Sequence, residues 1–588
     1  MGNEEVIALF AVTPSGKRAA AALAARLGPE AVVVDGAVRA TLERLWPRLN
    51  SAVFFLAAGA TVRLIAPLLR DKRTDPGVVC VDEAQRFAIP LTGGHAGGAN
   101  DLAERVADLL LDCTPVITTA SDSVGSTALD ELVDLLDATV DGDLAAGGVA
   151  VLGGSPVLLR NPLGFPLPAL PENVSWQVPD PEWTIVVDDR VPDDPDAKNV
   201  LRLVPRTLVV GVGAARGVST TAVTSAVAKL HERHRLDARA VRAFATVELK
   251  ADERGILETV QDWAFWNGEV DSRLLTYSAD ELAGMAVPNP SEVVAAEVGT
   301  PSVAEAAALR GAGEFAGDGP VELVAEKLKG DNVTAAAARI VPRGRLAILG
   351  LGPGAADLRT PRSEAELRRA STVVGLDQYV EQVRELIRPG TEVRASGLGD
   401  EQARATDAVA LARSGRAVAL IGSGDAGIYA MASPALEQAG ADIDVVGVPG
   451  VSAALAASAE LGAPLGHDHV LISLSDLHTP WQAIERRVRA AAEGDFVVCF
   501  YNPRSAQRHW QLRAALDVLL EHRPADTPVG AVRQASRDGQ RVWCTRLAEF
   551  DTDDVDMLTT VLVGSSQTRM IGGRMVTPRG YTWMPELA

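Results

Sequence analysis

The chain has 588 residues, 47% of them hydrophobic, which at about 150 residues per domain gives a prior of roughly four domains with sizeable cores. A formal charge of −21 argues against nucleic acid as the main partner. Four scattered cysteines without C-x-x-C spacing argue against a zinc site or a disulfide framework and suit a reducing cytoplasm.

The opening MGNEEVIALF carries two acids and no basic run, so no signal peptide is expected. From there, short β-branched runs alternate with Ala/Leu/Arg helical patterns, which predicts α/β domains with parallel or mixed sheets. In residues 1–142, VIALFAVT leads into a helix near 15–27, and AVVVDG, AVFFLAAG, GVVCVDE and PVITTAS read as strands. The most apolar stretch, SAVFFLAAGATVRLIAPLL (51–69), is interrupted by Arg63, Gly and Pro, so no membrane span is expected. Arg63, Arg70, Lys72 and Arg73 add local positive charge. The loop TGGHAGGAN precedes a helix that Asn100 could cap, and His95 within it is a general-base candidate or a loop residue hydrogen-bonded to backbone. Residues 143–205, rich in Pro and Gly, read as an irregular middle segment. The rhythm resumes in 206–342 with RTLVVGVG, the helix TTAVTSAVAKLHERH and the strand RAFATVEL. ELKADE, with Lys250, Asp252 and Glu253, is either a hydrolytic cluster or a solvated strand end.

A boundary is expected near 340–345, where a fresh strand runs into LGLGPGAADLRTP. Gly350, Gly352 and Ala355 fit G-x-G-x-x-G/A, and Asp377 stands where a ribose-binding acid would, which raises a nicotinamide dehydrogenase. A dinucleotide site needs the helix to begin at the glycines. Here Thr360 is the better N-cap and Pro361 suits the first helical position, while Pro353 removes an amide. The dinucleotide reading therefore loses its physical basis.

Two further strand-end loops follow, GSGDAGIY (422–429) and VPGVSA (448–453). With G-P-G first, the three loops in this order resemble the tetrapyrrole methylases that use S-adenosylmethionine. SLSDLHTPW (473–481), FYNPRS (500–505), HWQL (509–512) and the segment 556–581 narrow the resemblance to the precorrin-3B C(17)-methyltransferase family over 345–582. The resemblance implies a two-domain α/β fold for 343–588, split near 455–470, with the methyl donor in the cleft between the subdomains. It also implies donor contacts from Pro353, Ser423, Gly424, Asp425, Ile428, Ser452, Ala453, Tyr501, Asn502 and Ala535. The family usually places Asp directly after G-P-G, where this chain has Ala355. Methylation at C(17) is coupled to ring contraction in that family, which leaves a lactone on ring A.

Contraction needs proton transfers, for which Asp476, His478 and Thr479 are candidates; Asp476 reads equally as a helix cap. Precorrins carry many carboxylates, which makes Arg504, Arg569, Arg574 and Arg579 candidates for binding substrate, or else a solvated basic face. His467, His469 and His478 suit no standard metal spacing, so no protein-bound metal is expected, and cobalt, if present, travels in the substrate.

In the first half, residues 54–107, PVITTASD and the segments between 209 and 309 resemble cobalt-precorrin-5A hydrolase, which opens the ring A lactone and releases acetaldehyde. That family usually reads G-x-G-C-R-R-G where this chain has GVGAARG, with Ala214 at the Cys position. The resemblances together imply a cytoplasmic bifunctional enzyme of cobalamin biosynthesis, dimeric through its methyltransferase half. The alternative is a methyltransferase fused to a non-catalytic tetrapyrrole-binding module.

Overall fold

The computed structural model describes residues 6–70, 74–94, 97–118, 126–194, 197–267, 273–505 and 508–581. His95, Lys72 and Arg73 lie outside the described residues. The chain divides into two compact units: Met1–Phe165, Ala169–Pro342 and Arg388–Gly390 form one, and Pro166–Pro168, Arg343–Ile387 and Thr391–Ala588 the other.

The first unit holds three sheets. The first has the strand order Ala31–Val33, Ile7–Ala11, Ser51–Phe55, Gly77–Val81, Phe87–Thr92, Thr114–Pro115 and is parallel except where Gly77–Val81 meets Phe87–Thr92. Its central strands are buried on both faces, which is why they read as continuous apolar runs. The apolar stretch 51–69 is split between the strand Ser51–Phe55 and the helix Ala58–Ile65, and no described helix is long and apolar enough to cross a membrane. The helix Ala99–Leu109 starts at Gly98, which adopts φ +67°; Asn100 lies inside its first turn and is not its cap. Glycine is required nearby, because a Cβ on Gly77 would meet the Gly97 carbonyl oxygen at 2.1 Å.

The segment 143–205, expected to be irregular, carries most of an ordered sheet. Its strand order is Ala138–Asp141, Val200–Pro205, Trp183–Val187, Val157–Arg160, Val174–Ser175. These strands have two to six residues, too short to outweigh the surrounding Pro and Gly in the sequence pattern. Side-chain amides close the turns between them: Asn161 exchanges two hydrogen bonds with Phe165, and Asn173 Nδ2 donates to the Val151 and Ser155 carbonyls.

The third sheet runs Arg273–Tyr277, Val241–Val247, Leu208–Ala214, Val333–Ile340, Val321–Lys329, the first three parallel and the last two antiparallel. The helices Thr220–His234 and Arg254–Trp266 pack together, and Val303–Ala316 packs on strand Leu208–Ala214. That last contact is close: a Cβ on Gly211 would lie 1.9 Å from the Ala304 carbonyl oxygen. Ala214 ends its strand beside Val333.

The second unit opens with a five-stranded, fully parallel sheet in the order Glu392–Ser396, Thr372–Leu376, Ala417–Gly422, Arg345–Gly350, Asp444–Val448. A second sheet follows, His469–Ser473, Val497–Tyr501, Thr559–Val563, Pro528–Arg533, Arg541–Arg546, parallel at its first pair and antiparallel elsewhere. Gly462–Ala463 pairs with the hairpin Arg569–Ile571 and Arg574–Val576. The whole chain is thus mixed α/β, with parallel and mixed sheets.

Candidate functional site

The site of the second unit is assembled from strand ends. Arg345–Gly350, Ala417–Gly422 and Asp444–Val448 are neighbours in the parallel sheet, so their C-terminal loops emerge side by side, where open α/β sheets bind ligands. The closest contacts between the loops are backbone to backbone. Gly352 and Gly424 exchange N–H···O bonds of 3.1 and 2.7 Å. A Cβ on Gly450 would meet the Gly424 oxygen at 2.1 Å and the Gly350 carbonyl carbon at 2.7 Å. These glycines therefore serve loop-to-loop packing. Asp425 locks the arrangement, accepting from Gly427 N–H (2.8 Å) and Gly450 N–H (3.1 Å) with its two oxygens.

The helix that follows the first loop starts at Pro361, with the Thr360 side chain accepting from Ser363 N–H, so it does not begin at the glycines. Asp377 is exposed at the start of the short helix Asp377–Glu381 and does not line the cleft. Ala355 precedes a short 3-10 turn, Ala356–Leu358, and lies off the cleft wall with Asp357 exposed beside it.

A cavity of about 250 Å³ opens over these loops, faced on its other side by Tyr501–Asn502, Gln534–Ala535, Arg537 and Met557–Thr560 of the second sheet. Non-glycine residues with left-handed backbone gather on it: Tyr429 (φ 53°), Asn502 (φ 49°) and Gln534 (φ 50°) line the cavity, and Ser536 (φ 60°) adjoins it. Such conformations persist where the surroundings enforce them, and they collect at ligand sites. The Tyr429 and Tyr501 rings lie 5.4 Å apart, and Tyr429 Oη donates to the Leu471 carbonyl. Tyr501 Oη accepts from Ala454 N–H at 3.0 Å. Burial, the largest influence, pushes the Tyr501 phenol up to about 12.

Two guanidinium groups line the cavity. Arg537 donates Nε to the Pro353 carbonyl and Nη2 to Ser423 Oγ (2.8 Å). Arg404, 6% exposed, donates to Ser396 Oγ, the Gly397 carbonyl and Met431 Sδ. Arg508, buried just behind the wall, donates to the Asn502 carbonyl and Met557 Sδ.

Of the residues that the sequence marks for the donor, Pro353, Ser423, Gly424, Asp425, Ile428, Ala453, Tyr501, Asn502 and Ala535 all line this one cavity. Ser452, buried, caps the adjoining helix Ala453–Leu461. The proton-transfer and substrate candidates lie elsewhere. Asp476, His478 and Thr479 follow strand His469–Ser473 off the cavity wall; Asp476 accepts from Gln511 Nε2 and does not cap the helix Trp481–Glu493, whose cap is Pro480. Arg504 is paired with Asp553 at 2.7 Å. Arg569, Arg574 and Arg579 are exposed on and after the hairpin, away from the cavity. His467 and His469 engage local backbone, and among the described residues no group of three or more potential metal ligands gathers.

Sequence reasoning missed Tyr379, Arg404, Tyr429 and Arg537. Arg404 had a detectable signal: it shares the helical spacing of Ala408 and Ala412 on the buried face of Glu401–Arg413, an unusual place for a cation. Arg537, inside QASRDGQ, had none.

In the first unit, ELKADE ties a loop to a helix. Glu253, 5% exposed, accepts from Gly217 N–H at 2.9 Å, and Arg216 pairs with the exposed Asp252 at 2.6 Å. Lys250 Nζ lies 3.9 Å from Glu253, and burial lowers its ammonium pKa.

Comparison with known proteins matches residues 345–551 to the family described as Tetrapyrrole (Corrin/Porphyrin) Methylases. Residues 40–122 match Cobalamin synthesis G N-terminal, and residues 208–338 Cobalamin synthesis G C-terminus. Over 240 residues, 40% of this chain and 99% of the relative, it is 45% identical to the probable cobalt-factor III C(17)-methyltransferase of Salmonella typhimurium. It is 41% identical over 248 residues to the cobalt-factor III methyltransferase of Priestia megaterium, spanning 41% of this chain and 45% of that one. The crystal structure of the methyltransferase CobJ aligns at 38% identity over 40% of this chain and 100% of its own, with a TM-score of 0.38. Glycine-built cleft and matched segment coincide: the chain belongs to the tetrapyrrole (corrin/porphyrin) methylases, joined in its first half to the two cobalamin synthesis G segments.

Proposed function

We propose that this chain is a bifunctional enzyme of corrin-ring biosynthesis. Its second unit methylates C(17) of precorrin-3B or the cobalt form, using S-adenosylmethionine, with ring contraction. Its first half hydrolyses the ring A lactone of precorrin-5A or its cobalt form and releases acetaldehyde. The observation that carries the first assignment is the single cavity on which the three glycine loops converge with Tyr501, Asn502 and Ala535. The relatives named for C(17) methylation match the same part of the chain.

The cavity's chemistry fits such a donor. Backbone amides and carbonyls, apolar Leu376, Ile421, Ile428 and Leu558, and an aromatic pair suit an amphipathic nucleoside. The donor supplies an activated methyl group on a sulfonium; the protein contributes position and a water-poor setting. Asp425 fixes two loops against each other, so the wall keeps its shape. Tyr501, raised by burial, stays a neutral phenol at physiological pH and holds the start of helix Ala453–Leu461 through Ala454 N–H.

For the lactone step, the first unit offers Lys250 and Glu253 beside the 214–217 loop, at the C-terminal ends of parallel strands. The order of reactions is coherent, because the methyltransferase chemistry creates the lactone that the hydrolase chemistry opens, after an intervening methylation by a separate enzyme.

Incubation of the full chain with methyl-labelled donor and precorrin-3B, or its cobalt form, should give label in a ring-contracted product. Folded protein that transfers no label overturns the methyltransferase assignment. Acetaldehyde released from the lactone substrate, and lost in Lys250→Ala, supports the hydrolase. Its absence leaves the first half as a tetrapyrrole-binding module.

A further inference from the structure

We infer that Arg404 and Arg537 form a carboxylate-binding subsite in the cleft of the second unit, an assignment that rests on the proposed methyltransferase reading and deepens it. The strongest observation is a charge imbalance. Of the other buried arginines, Arg202 is matched with Asp237 and Arg339 with Asp189, while Arg508 and Arg523, which donate to backbone carbonyls, do not line the cavity. Arg404 and Arg537 form no ion pair with any described residue, although the chain carries 77 Asp and Glu against 56 Lys and Arg. Their partners are carbonyls, hydroxyls and a thioether, which satisfy N–H groups without neutralising charge.

Neither acid on the cavity wall pairs with these arginines. Both oxygens of Asp425 take backbone amides, and Glu401 accepts from Gly399 N–H. Arg404, Arg537 and Tyr379 line the same cavity, and both guanidinium groups lower the pKa of that phenol against the larger upward push of its burial. Arg537 reaches that phenol's neighbourhood through Ser423, and its Nη1 has no hydrogen-bond partner among the described residues. Burial also lowers the pKa of Arg537, so an incoming anion would relieve an existing desolvation cost. A planar fork with spare N–H groups suits a carboxylate. Two sources fit this chemistry: the amino-acid carboxylate of the donor, and an acetate or propionate of the tetrapyrrole.

Calorimetry of the full chain with S-adenosylhomocysteine and with its decarboxylated analogue, S-adenosyl-3-thiopropylamine, separates these sources. If the donor's carboxylate is bound, Arg537→Gln weakens S-adenosylhomocysteine by about tenfold or more and leaves the decarboxylated analogue within about twofold. If the tetrapyrrole's carboxylate is bound, both nucleosides keep their affinity and the KM for tetrapyrrole rises about tenfold or more at nearly constant kcat. Arg404→Gln repeats the test from the other guanidinium, which covers any disturbance of the Pro353 loop in Arg537→Gln. Arg537→Lys, keeping the charge, should recover part of the loss. Unchanged binding and KM in both variants overturns the subsite, as does equal weakening of the two nucleosides, which would mark lost shape. Failure of the wild-type chain to bind either nucleoside or to methylate counts against the methyltransferase reading instead.

Discussion

At Gly450 a single hydrogen atom makes room for the site. A methyl group there would sit 2.1 Å from the Gly424 oxygen, and the obstacle is backbone, which no rotamer change can move aside. Gly450→Ala should therefore cost about 1–3 kcal/mol of stability, read as a lower melting temperature, and weaken S-adenosylhomocysteine binding by about tenfold or more. Unchanged melting and affinity would mean that the loops are not packed through their glycines. Nine residues of the cavity wall were legible because loop motifs carry their own chemistry: small residues at strand ends, a Pro, a Tyr-Asn pair. The charged residues were not legible in the same way. Arg504 stands next to that motif yet is paired with Asp553, while Arg537, which lacks an acid, is distant in sequence from every loop it touches. Whether an arginine is neutralised depends on which acid the fold brings beside it.

Elements followed the sequence closely where one local rule sufficed. Thr360 and Pro361 set the start of helix Pro361–Arg368, and Ser219 caps Thr220–His234. The short strands between 157 and 205 were hidden, because strands of this length are stabilised by sheet neighbours that the sequence does not reveal. Ion pairs join that sheet to the 3-10 turn Ala238–Ala240 and its cap, Asp237. Arg202 on strand Val200–Pro205 pairs with Asp141 and Asp237, and Arg239 pairs with both acids as well. Burial raises the Asp237 carboxyl pKa, but Arg239's hydrogen bonds and charge, with that of Arg202, outweigh it and hold it below the ordinary 3.8. A lowered folded pKa means that the unfolded chain takes up the proton first as pH falls. The stabilisation is full above the unfolded value and fades as pH drops through the folded one, so melting of the first unit should fall below about pH 4. Asp237→Asn should lower stability at neutral pH by about 3–5 kcal/mol and flatten that acid decline. A melting curve as steep in acid for the variant as for the wild type would assign the decline to other carboxylates.

Across the whole molecule, each unit buries its own cores. Strands Arg345–Gly350 and Ala417–Gly422 separate two apolar clusters in the second unit, and strands Leu208–Ala214 and Val241–Val247 do the same in the first. Scanning calorimetry should accordingly resolve more than one transition, and S-adenosylhomocysteine should raise only that of the second unit. At a hundredfold excess over Kd the expected gain is about 2.7 kcal/mol. A single transition, or a shift of both, would mean that the units unfold together. The sequence by itself determined the α/β alternation, the helix start at Thr360–Pro361 and the small residues of three strand-end loops, because each follows from local backbone and side-chain preference. Only the tertiary structure decided that these glycines pack against one another and that two arginines line the same cavity without an ion pair. Packing and charge balance are properties of residues far apart in the chain, and the fold alone brings them within reach.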